Sequence, residues 1–284
     1  MTSINVRELC EGPELDFPEW IGNGVLPKGQ VLLLGGETKI GKTWIGFEIA
    51  DALGVGVGRN LFGDPRFPIK EKARVLLVDA ELGLYGAAKR FRMRWTHNDI
   101  KPPPQFWCAP RGTYAPLRVN LTGWKDLAKM IAETKTQVVI LDPASYFISD
   151  GKNESVRDFY ENLSRIQQEI DPDISFVVVH HFNKPPRGRE ADGSDPLDPY
   201  RFSGAANWIN DPSAVMTGNK EDTTDIGIRW YIHARMKLRH GPEPEDFKIA
   251  VMNNWELLIA QDAAAAAEPP PPTRRFSQAL ARLG

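Results

Sequence analysis

The chain has 284 residues, which is enough for one large α/β domain or two small ones. Its 35 Lys and Arg residues nearly balance its 37 Asp and Glu residues, so no overall field draws it to nucleic acid or to a membrane surface. Any nucleic-acid binding must therefore come from local basic segments. No apolar run has the length of a membrane span, the N-terminus lacks a signal peptide, and the two cysteines, Cys10 and Cys108, are far apart. These features predict a cytoplasmic protein with no membrane partner.

A glycine-bounded loop follows the first apolar run of the chain. The run 31–34 is typical of a buried strand, and residues 44–50 have a helical pattern. Between them lies Gly36-Glu37-Thr38-Lys39-Ile40-Gly41-Lys42-Thr43. A strand, this loop and a helix form the context of a phosphate-binding loop, in which backbone N–H groups and the helix N-terminus face a phosphate.

This loop predicts a site for ATP and Mg²⁺. Lys42 is expected to reach the β- and γ-phosphates, and the Thr43 hydroxyl is expected to hold Mg²⁺. The alternative is a glycine turn in an ordinary α/β protein. The predicted nucleotide contacts are Gly36, Glu37, Thr38, Lys39, Ile40, Gly41, Lys42, Thr43 and Trp44.

The other strands and helices alternate along the chain. Apolar runs typical of buried strands lie at 73–79, 105–108, 137–142 and 174–181. Helical patterns lie at 84–97, 124–133 and 154–170, and further β-rich segments lie at 213–217, 226–234 and 247–258. This order predicts an α/β fold with a mainly parallel sheet flanked by helices and with C-terminal antiparallel strands. The basic residues of the helix at 84–97 are typical of a solvent-exposed helix face; they are Lys89, Arg90, Arg92 and Arg94.

Three carboxylates follow predicted strands at the same edge of the sheet. Asp142 ends an apolar strand, a position that suits a ligand of Mg²⁺. Glu81 is the candidate base that activates the attacking water, and Asp79 is expected to support the metal. The alternative for Glu81 is an acid that complements the dipole of the following helix.

Two histidines, His180 and His181, end the strand at 174–181. Since no other ligands accompany them at metal-binding spacing, a metal site is disfavoured. A polar side chain at a strand end can instead contact the γ-phosphate and report hydrolysis. We expect one of the two to have this role; the alternative is a histidine of the core.

Two cations, Lys237 and Arg239, precede the Gly241-Pro242 turn. Alternation along a strand places them on the same face. Cations at a hairpin tip suit insertion into the phosphate site of a neighbouring subunit. A solvated face of an edge strand is the alternative.

Together these motifs resemble the RecA-like ATPases, and within them the hexameric replicative helicases of the DnaB and plasmid RepA type. The resemblance covers residues 26–258. It rests on the phosphate loop, Asp79-Ala80-Glu81, Ile140-Leu141-Asp142, Val178-Val179-His180-His181, Ser203-Gly204-Ala205, the segment 210–215 and Lys237-x-Arg239-x-Gly241-Pro242.

The resemblance implies a RecA-like core and a role for each matching residue. Glu81 corresponds to the catalytic base, Asp142 to the Mg²⁺ ligand and His180 to the γ-phosphate sensor. Lys237 and Arg239 correspond to a pair that acts across the subunit interface. In the plasmid helicases the finger arginine is nearer to the Ser203-Gly204 segment, which leaves Arg201 as a rival.

The resemblance also places DNA-contacting loops at 146–157 and 184–201. The cations expected to contact backbone phosphates of single-stranded DNA are Lys152, Lys184, Arg187 and Arg189. Mobile surface loops are the alternative, and the four acidic residues of the second loop weaken the DNA interpretation.

We expect a lead-in segment at 1–29, a RecA-like ATPase domain at 30–260, and a linker with a short tail at 261–284 that is a candidate site for a protein partner. The predicted function is that of a homo-oligomeric motor, for which the resemblance implies a hexamer, and which couples hydrolysis of Mg²⁺-ATP to movement on single-stranded DNA. A bare core of this kind suits a plasmid, phage or mobile-element protein. The alternatives are a recombination or repair ATPase that forms filaments, and an ATPase switch controlled by a protein partner.

Overall fold

The computed structural model describes residues 18–114, 121–148, 153–182, 195–201 and 207–260. The strands are β1 (Glu19–Ile21), β2 (Leu26–Pro27), β3 (Val31–Gly36), β4 (Val75–Asp79), β5 (Phe106–Pro110), β6 (Val138–Asp142), β7 (Ser175–His181), β8 (Ala214–Asp222), β9 (Ile228–Leu238), β10 (Phe247–Met252) and β11 (Leu257–Ile259). The α-helices are α1 (Lys42–Val55), α2 (Leu84–Arg94), α3 (Leu121–Thr134), α4 (Asn153–Glu169) and α5 (Asn207–Asn210).

Nine of these strands form one sheet in the order β11-β10-β9-β8-β3-β7-β6-β4-β5. The six strands from β8 to β5 in this order are parallel, and β9, β10 and β11 extend the sheet with antiparallel pairing. The predicted mainly parallel sheet with C-terminal antiparallel strands is therefore confirmed. Since β3 lies between β7 and β8, the loop that follows it leaves the sheet near its centre.

Helices cover both faces of the parallel part of the sheet. Alternate residues of each strand point to opposite faces, so Leu77 and Ile140 join a core with Phe47 of α1. Their neighbours in sequence pack on the other face, against α3 and α4. This two-sided burial explains why the strands appear in the sequence as continuous apolar runs.

The segment before β3 also belongs to the core. Trp20 and Leu26 are at most 1% exposed. The Trp20 indole donates a 3.1 Å hydrogen bond to the Ser175 hydroxyl, which itself donates a 2.9 Å bond to the carbonyl of Pro27. These contacts fasten the β1–β2 hairpin to the beginning of β7.

The C-terminal strands differ in extent from the predicted ones. β8 continues to Asp222, beyond the predicted end at residue 217. Its outer half alternates exposed and half-buried residues, so the apolar pattern that predicts a strand is weak there. The β-rich segment predicted at 247–258 is two strands joined by a turn, in which Trp255 has a φ of +66°. Bulky residues rarely adopt this left-handed conformation, so composition did not indicate the turn.

Among the helices in the described part of the chain, none combines the length and the apolar composition that a membrane span requires.

Candidate nucleotide-binding site

The loop at 36–43 has the backbone conformation that its glycines predict. Gly36 has a φ of +152°, and a Cβ added there would lie 2.6 Å from the carbonyl oxygen of Gly218 on β8. Gly41 precedes the first residue of α1 with a φ of +114°. Both positions require glycine, the first because of the close approach of β8 and the second because of its φ.

Lys42 is held inside this loop. Its side chain is 5% exposed, and Nζ donates to the carbonyls of Gly36 at 2.9 Å and Glu37 at 2.6 Å. Burial lowers the pKa of Lys42 to about 8, although nearby carboxylates, Asp142 first among them, oppose this shift. The ammonium therefore lies inside the loop and, among the described residues, its hydrogen-bond acceptors are two loop carbonyls.

Thr43 and Asp142 meet at the edge of the sheet. The Thr43 hydroxyl donates a 2.6 Å hydrogen bond to Oδ2 of Asp142, the last residue of β6. Asp142 is 5% exposed. Its burial raises the pKa of its carboxyl to about 6, and the hydrogen bond from Thr43 opposes the shift. The sequence prediction that Asp142 lies beside the phosphate loop agrees with this geometry.

A cavity of about 530 Å³ opens beside these residues. Its volume is within the range of small-molecule sites. It lies at the carboxyl ends of the parallel strands, where ligands of α/β sheets bind. Its lining residues are Thr38, Lys39, Gly41, Lys42, Thr43, Trp44, Glu81, Arg90, Asp142, His181, Trp230 and Trp255.

The two acidic residues after β4 have different positions. Glu81 lines the cavity, and its side chain is 39% exposed. Asp79 is 2% exposed and is not among the described residues that line the cavity. Its Oδ1 accepts hydrogen bonds from the backbone N–H groups of Glu81 at 3.0 Å and Leu82 at 2.8 Å. Asp79 thus fixes the turn that carries Glu81, and its expected supporting role toward the metal stays a prediction.

The two histidines also have different positions, because neighbouring residues of a strand face opposite sides. His181 follows Val179 on the face of α1 and lines the cavity, with Nε2 3.9 Å from Oε1 of Glu81. His180 is 3% exposed, and its ring lies 4.4 Å from that of Trp208 on the other face. This corrects the assignment to His180: the side chain that reaches the cavity is His181.

The environment of His181 keeps its imidazole neutral. Burial lowers its pKa to about 4, and the charge of Lys42 contributes to the same shift. At neutral pH the ring therefore adds no charge to the cavity and can donate one hydrogen bond and accept another.

Arg90 is a site residue that the sequence interpretation missed. The charge pattern predicts a solvated helix face for Arg90, but its Nη1 lies 3.5 Å from the Thr43 hydroxyl and its Nη2 lies 4.0 Å from Oε2 of Glu81. One signal was available: α2 begins three residues after Glu81, so its first turns must pass close to the same edge of the sheet.

Three tryptophans form one wall of the cavity. The rings of Trp44 and Trp255 are stacked, with centroids 4.3 Å apart and an interplanar angle of 21°. Trp230 is edge-on to Trp255 at 5.9 Å, and its indole N–H donates a 2.9 Å bond to the carbonyl of Ile40 in the phosphate loop. Trp230 lies on β9 and Trp255 in the turn between β10 and β11, and only the tertiary fold brings them to the loop.

Lys237 and Arg239 lie at the opposite edge of the sheet from the loop. Leu238 of β9 pairs with Ala214 of β8, which in turn pairs with Leu32 near the beginning of β3. The four residue steps from Leu32 to Gly36 at the end of β3 span about 13 Å, so neither cation approaches the phosphate loop of its own chain. Both are exposed, and the Arg239 guanidinium donates to the carbonyl of Asn210.

Arg201, by contrast, lies against the phosphate loop of its own chain. Its Nη2 forms a 3.0 Å ion pair with Oε1 of Glu37, its Nη1 donates to the carbonyl of Pro196 at 2.9 Å, and its guanidinium lies 5.2 Å from the Phe182 ring centroid. These contacts lie within one chain, and the role of Arg201 as a rival finger for a neighbouring subunit stays a prediction.

Several predicted features lie outside the described residues. They are the DNA-contacting cations Lys152, Lys184, Arg187 and Arg189, the Ser203-Gly204 segment, residues 1–17 of the lead-in, and the linker and tail at 261–284.

Replacing His181 provides a direct test of the site. We expect His181→Ala to reduce ATP turnover about 10- to 100-fold, because a hydrogen-bonding group in the cavity is lost, and to leave the melting temperature unchanged. The exposed His97, replaced by Ala, is the matched control and should retain full turnover. Steady-state phosphate release and thermal melting measure both. Full turnover in His181→Ala would contradict a role of this residue in ATP hydrolysis.

The comparisons with known proteins agree with this geometry. Residues 9–187, more than half of the chain, match a family model described as an AAA domain. Among solved structures, the fold is similar to that of a KaiC-like protein from the hyperthermophilic archaeon Pyrococcus horikoshii OT3, with a TM-score of 0.51 and 11% identity over 82% of this chain and 90% of that chain. At this identity the likeness concerns the fold. A search of curated proteins found no match. The chain thus belongs to the AAA domain family, and its fold is that of a RecA-like P-loop ATPase.

Proposed function

We propose that the cavity binds Mg²⁺-ATP and hydrolyses it, and that the chain uses this reaction as a ring-forming motor on single-stranded DNA. The observation that carries the hydrolysis is the convergence of Lys42, Thr43 and Asp142 with Glu81 around one cavity. Phosphate binding, metal binding and water activation each have a residue of the required chemistry there.

The donor set at Thr43 and Asp142 fits Mg²⁺. A hydroxyl and a carboxylate oxygen are hard ligands, and they lie 2.6 Å apart. Within the described residues no group of three or more His, Cys, Asp and Glu side chains is arranged to hold a metal by itself. This is the pattern of a cation that takes one or two protein ligands and completes its shell with phosphate oxygens and water. When bound, Mg²⁺ neutralises charge that develops on the phosphates.

The residues of the chain supply the other parts of the reaction. Lys42 can exchange its loop carbonyls for phosphate oxygens and place a positive charge there. Glu81 can orient a water and accept its proton at the carboxylate. The neutral His181, 3.9 Å from Glu81, can hydrogen-bond to the terminal phosphate or to that water. The tryptophan wall provides an apolar surface for the base of the nucleotide.

Replacing Glu81 by Gln tests the hydrolysis. The amide keeps the shape of the side chain but cannot accept the proton of water, so we expect turnover to fall by about 100-fold or more while Mg²⁺-ATP still binds. Phosphate release gives the rate, and titration calorimetry gives the affinity. Glu133→Gln, on α3 with a 63% exposed side chain, is the control. Wild-type turnover in Glu81→Gln would contradict the assignment of the base.

The proposal of a ring rests on Lys237 and Arg239. Since both lie at the edge of the sheet opposite the phosphate loop, they suit action on the site of a neighbouring subunit in a head-to-tail assembly. A closed head-to-tail assembly is a ring, and the resemblance to replicative helicases favours six subunits. The same resemblance is the basis for proposing single-stranded DNA as the partner, contacted by the loops at 146–157 and 184–201.

Mixed assemblies test this arrangement. Arg239→Ala should bind Mg²⁺-ATP normally but lose about 1,000-fold in turnover, because the charge that stabilises the transition state is missing. Arg239→Ala subunits mixed with Glu81→Gln subunits should recover part of the activity, since some interfaces then combine an intact Arg239 with an intact Glu81. Arg165→Ala, an exposed cation on α4, is the control. Absence of recovery after co-assembly is confirmed would contradict action between subunits.

A further inference from the structure

Arg94 is a buried cation that the proposed reaction does not use. Its side chain is 4% exposed and lies between α1 and α2. Nε and Nη2 donate to Oδ2 of Asp51 at 3.0 and 2.7 Å, and Nη2 also donates to Oε2 of Glu48 at 2.7 Å. These carboxylates compensate the buried charge. A further bond connects Arg94 to the cavity: Nη1 donates to the backbone carbonyl of Trp255 at 2.6 Å.

The turn at 253–256 needs support of this kind. Trp255 has a φ of +66°, a conformation that is strained for a bulky residue and persists only where the surroundings impose it. Its carbonyl accepts the bond from Arg94, and the preceding carbonyl, that of Asn254, accepts a 2.8 Å bond from the Asn98 amide. Two side chains at the end of α2 and just after it thus hold consecutive carbonyls of this turn.

The turn determines where the Trp255 ring lies. The ring stacks on Trp44, the residue directly after Thr43, and the Arg229 guanidinium lies 4.0 Å from its centroid. The carboxylates that hold Arg94 belong to α1, the helix that begins at the phosphate loop. Arg94 therefore connects three elements that border the nucleotide site: α1, α2 and the turn that carries Trp255.

We propose that Arg94 is a positioning residue of the nucleotide site, which sets the affinity for nucleotide by fixing Trp255 in the wall of the cavity. This inference rests on the proposed function of the cavity. Arg94 has no contact with the cavity itself, so its effect must pass through Trp255. If Arg94 had only a structural role, its replacement would lower the stability of the domain, and no change in nucleotide affinity would depend on the Trp255 ring.

A double-mutant cycle on the full chain tests the proposal, with Mg²⁺-ATP as the probe. Arg94→Lys keeps the charge but cannot reach both carboxylates and the Trp255 carbonyl, so we expect Kd from titration calorimetry to rise about tenfold. The turnover at saturating ATP should stay within about twofold, because the catalytic residues are intact. Trp255→Leu should also raise Kd, and adding Arg94→Lys to it should raise Kd no further.

The matched control is Arg59→Lys. Arg59 is the other cation on Glu48, at 2.8 Å, and among the described residues its guanidinium makes no hydrogen bond to the turn. Lys keeps the positive charge that interacts with Glu256, so the replacement should lower the melting temperature but leave Kd unchanged. If Arg94→Lys does not fold, Asn98→Ala replaces it in the cycle, since it removes the neighbouring support of the same turn together with the bonds of Asn98 to the carbonyls of Met93 and Arg94. A several-fold rise in Kd that disappears in the Trp255→Leu background is then the supporting result.

Three results would overturn the proposal. Effects of Arg94→Lys and Trp255→Leu that multiply would show independent action. An unchanged Kd in the folded Arg94→Lys variant, or in Asn98→Ala where Arg94→Lys does not fold, would exclude positioning. Failure of the wild type to bind Mg²⁺-ATP would overturn the proposed function as well, whereas wild-type binding with a multiplicative cycle would overturn only the role of Arg94.

Discussion

The 2.6 Å hydrogen bond between Thr43 and Asp142 is the contact on which the rest of the site depends. It joins the first turn of α1 to the end of β6, across 99 residues of sequence. Because both partners are fixed by regular structure, the hydroxyl and the carboxylate meet without help from a mobile loop. Under the proposed function, these two oxygens are already in place for a hard cation before nucleotide binds.

The sheet gives this contact its surroundings. Asp142 and His181 face the side covered by α1 because strand residues alternate, and β7 is adjacent to both β3 and β6. The antiparallel strands then close the cavity, since Trp230 binds the phosphate loop and Trp255 stacks on Trp44. The polar groups of the cavity thus come from α1 and α2 and from the ends of the parallel strands, whereas the C-terminal strands contribute Trp230 and Trp255 to the apolar wall. Under the proposed function, the groups for the reaction and most of the surface for the base come from different parts of the fold.

Local pattern was enough to predict the fold class and the polar centre of the site. The phosphate loop has a composition that few other structures require, and Asp142 could be placed because parallel strands end at one edge. The choice between two adjacent histidines failed, since it depends on which face of β7 is covered by α1. Trp255 and Arg201 could not be placed either, because their contacts are set by strand pairing and by an isolated ion pair over 164 residues of sequence. Such contacts leave no periodic signal in the chain.

The most direct test of this account is the ATP turnover of the wild-type chain in the presence of Mg²⁺, measured with and without single-stranded DNA at increasing salt. The account predicts turnover that is lost with a chelator, rises with single-stranded DNA, and loses that rise as salt screens the phosphate contacts. Turnover that is indifferent to single-stranded DNA would contradict the motor on DNA. Absence of Mg²⁺-dependent turnover under all these conditions would contradict the central claim that this cavity hydrolyses ATP.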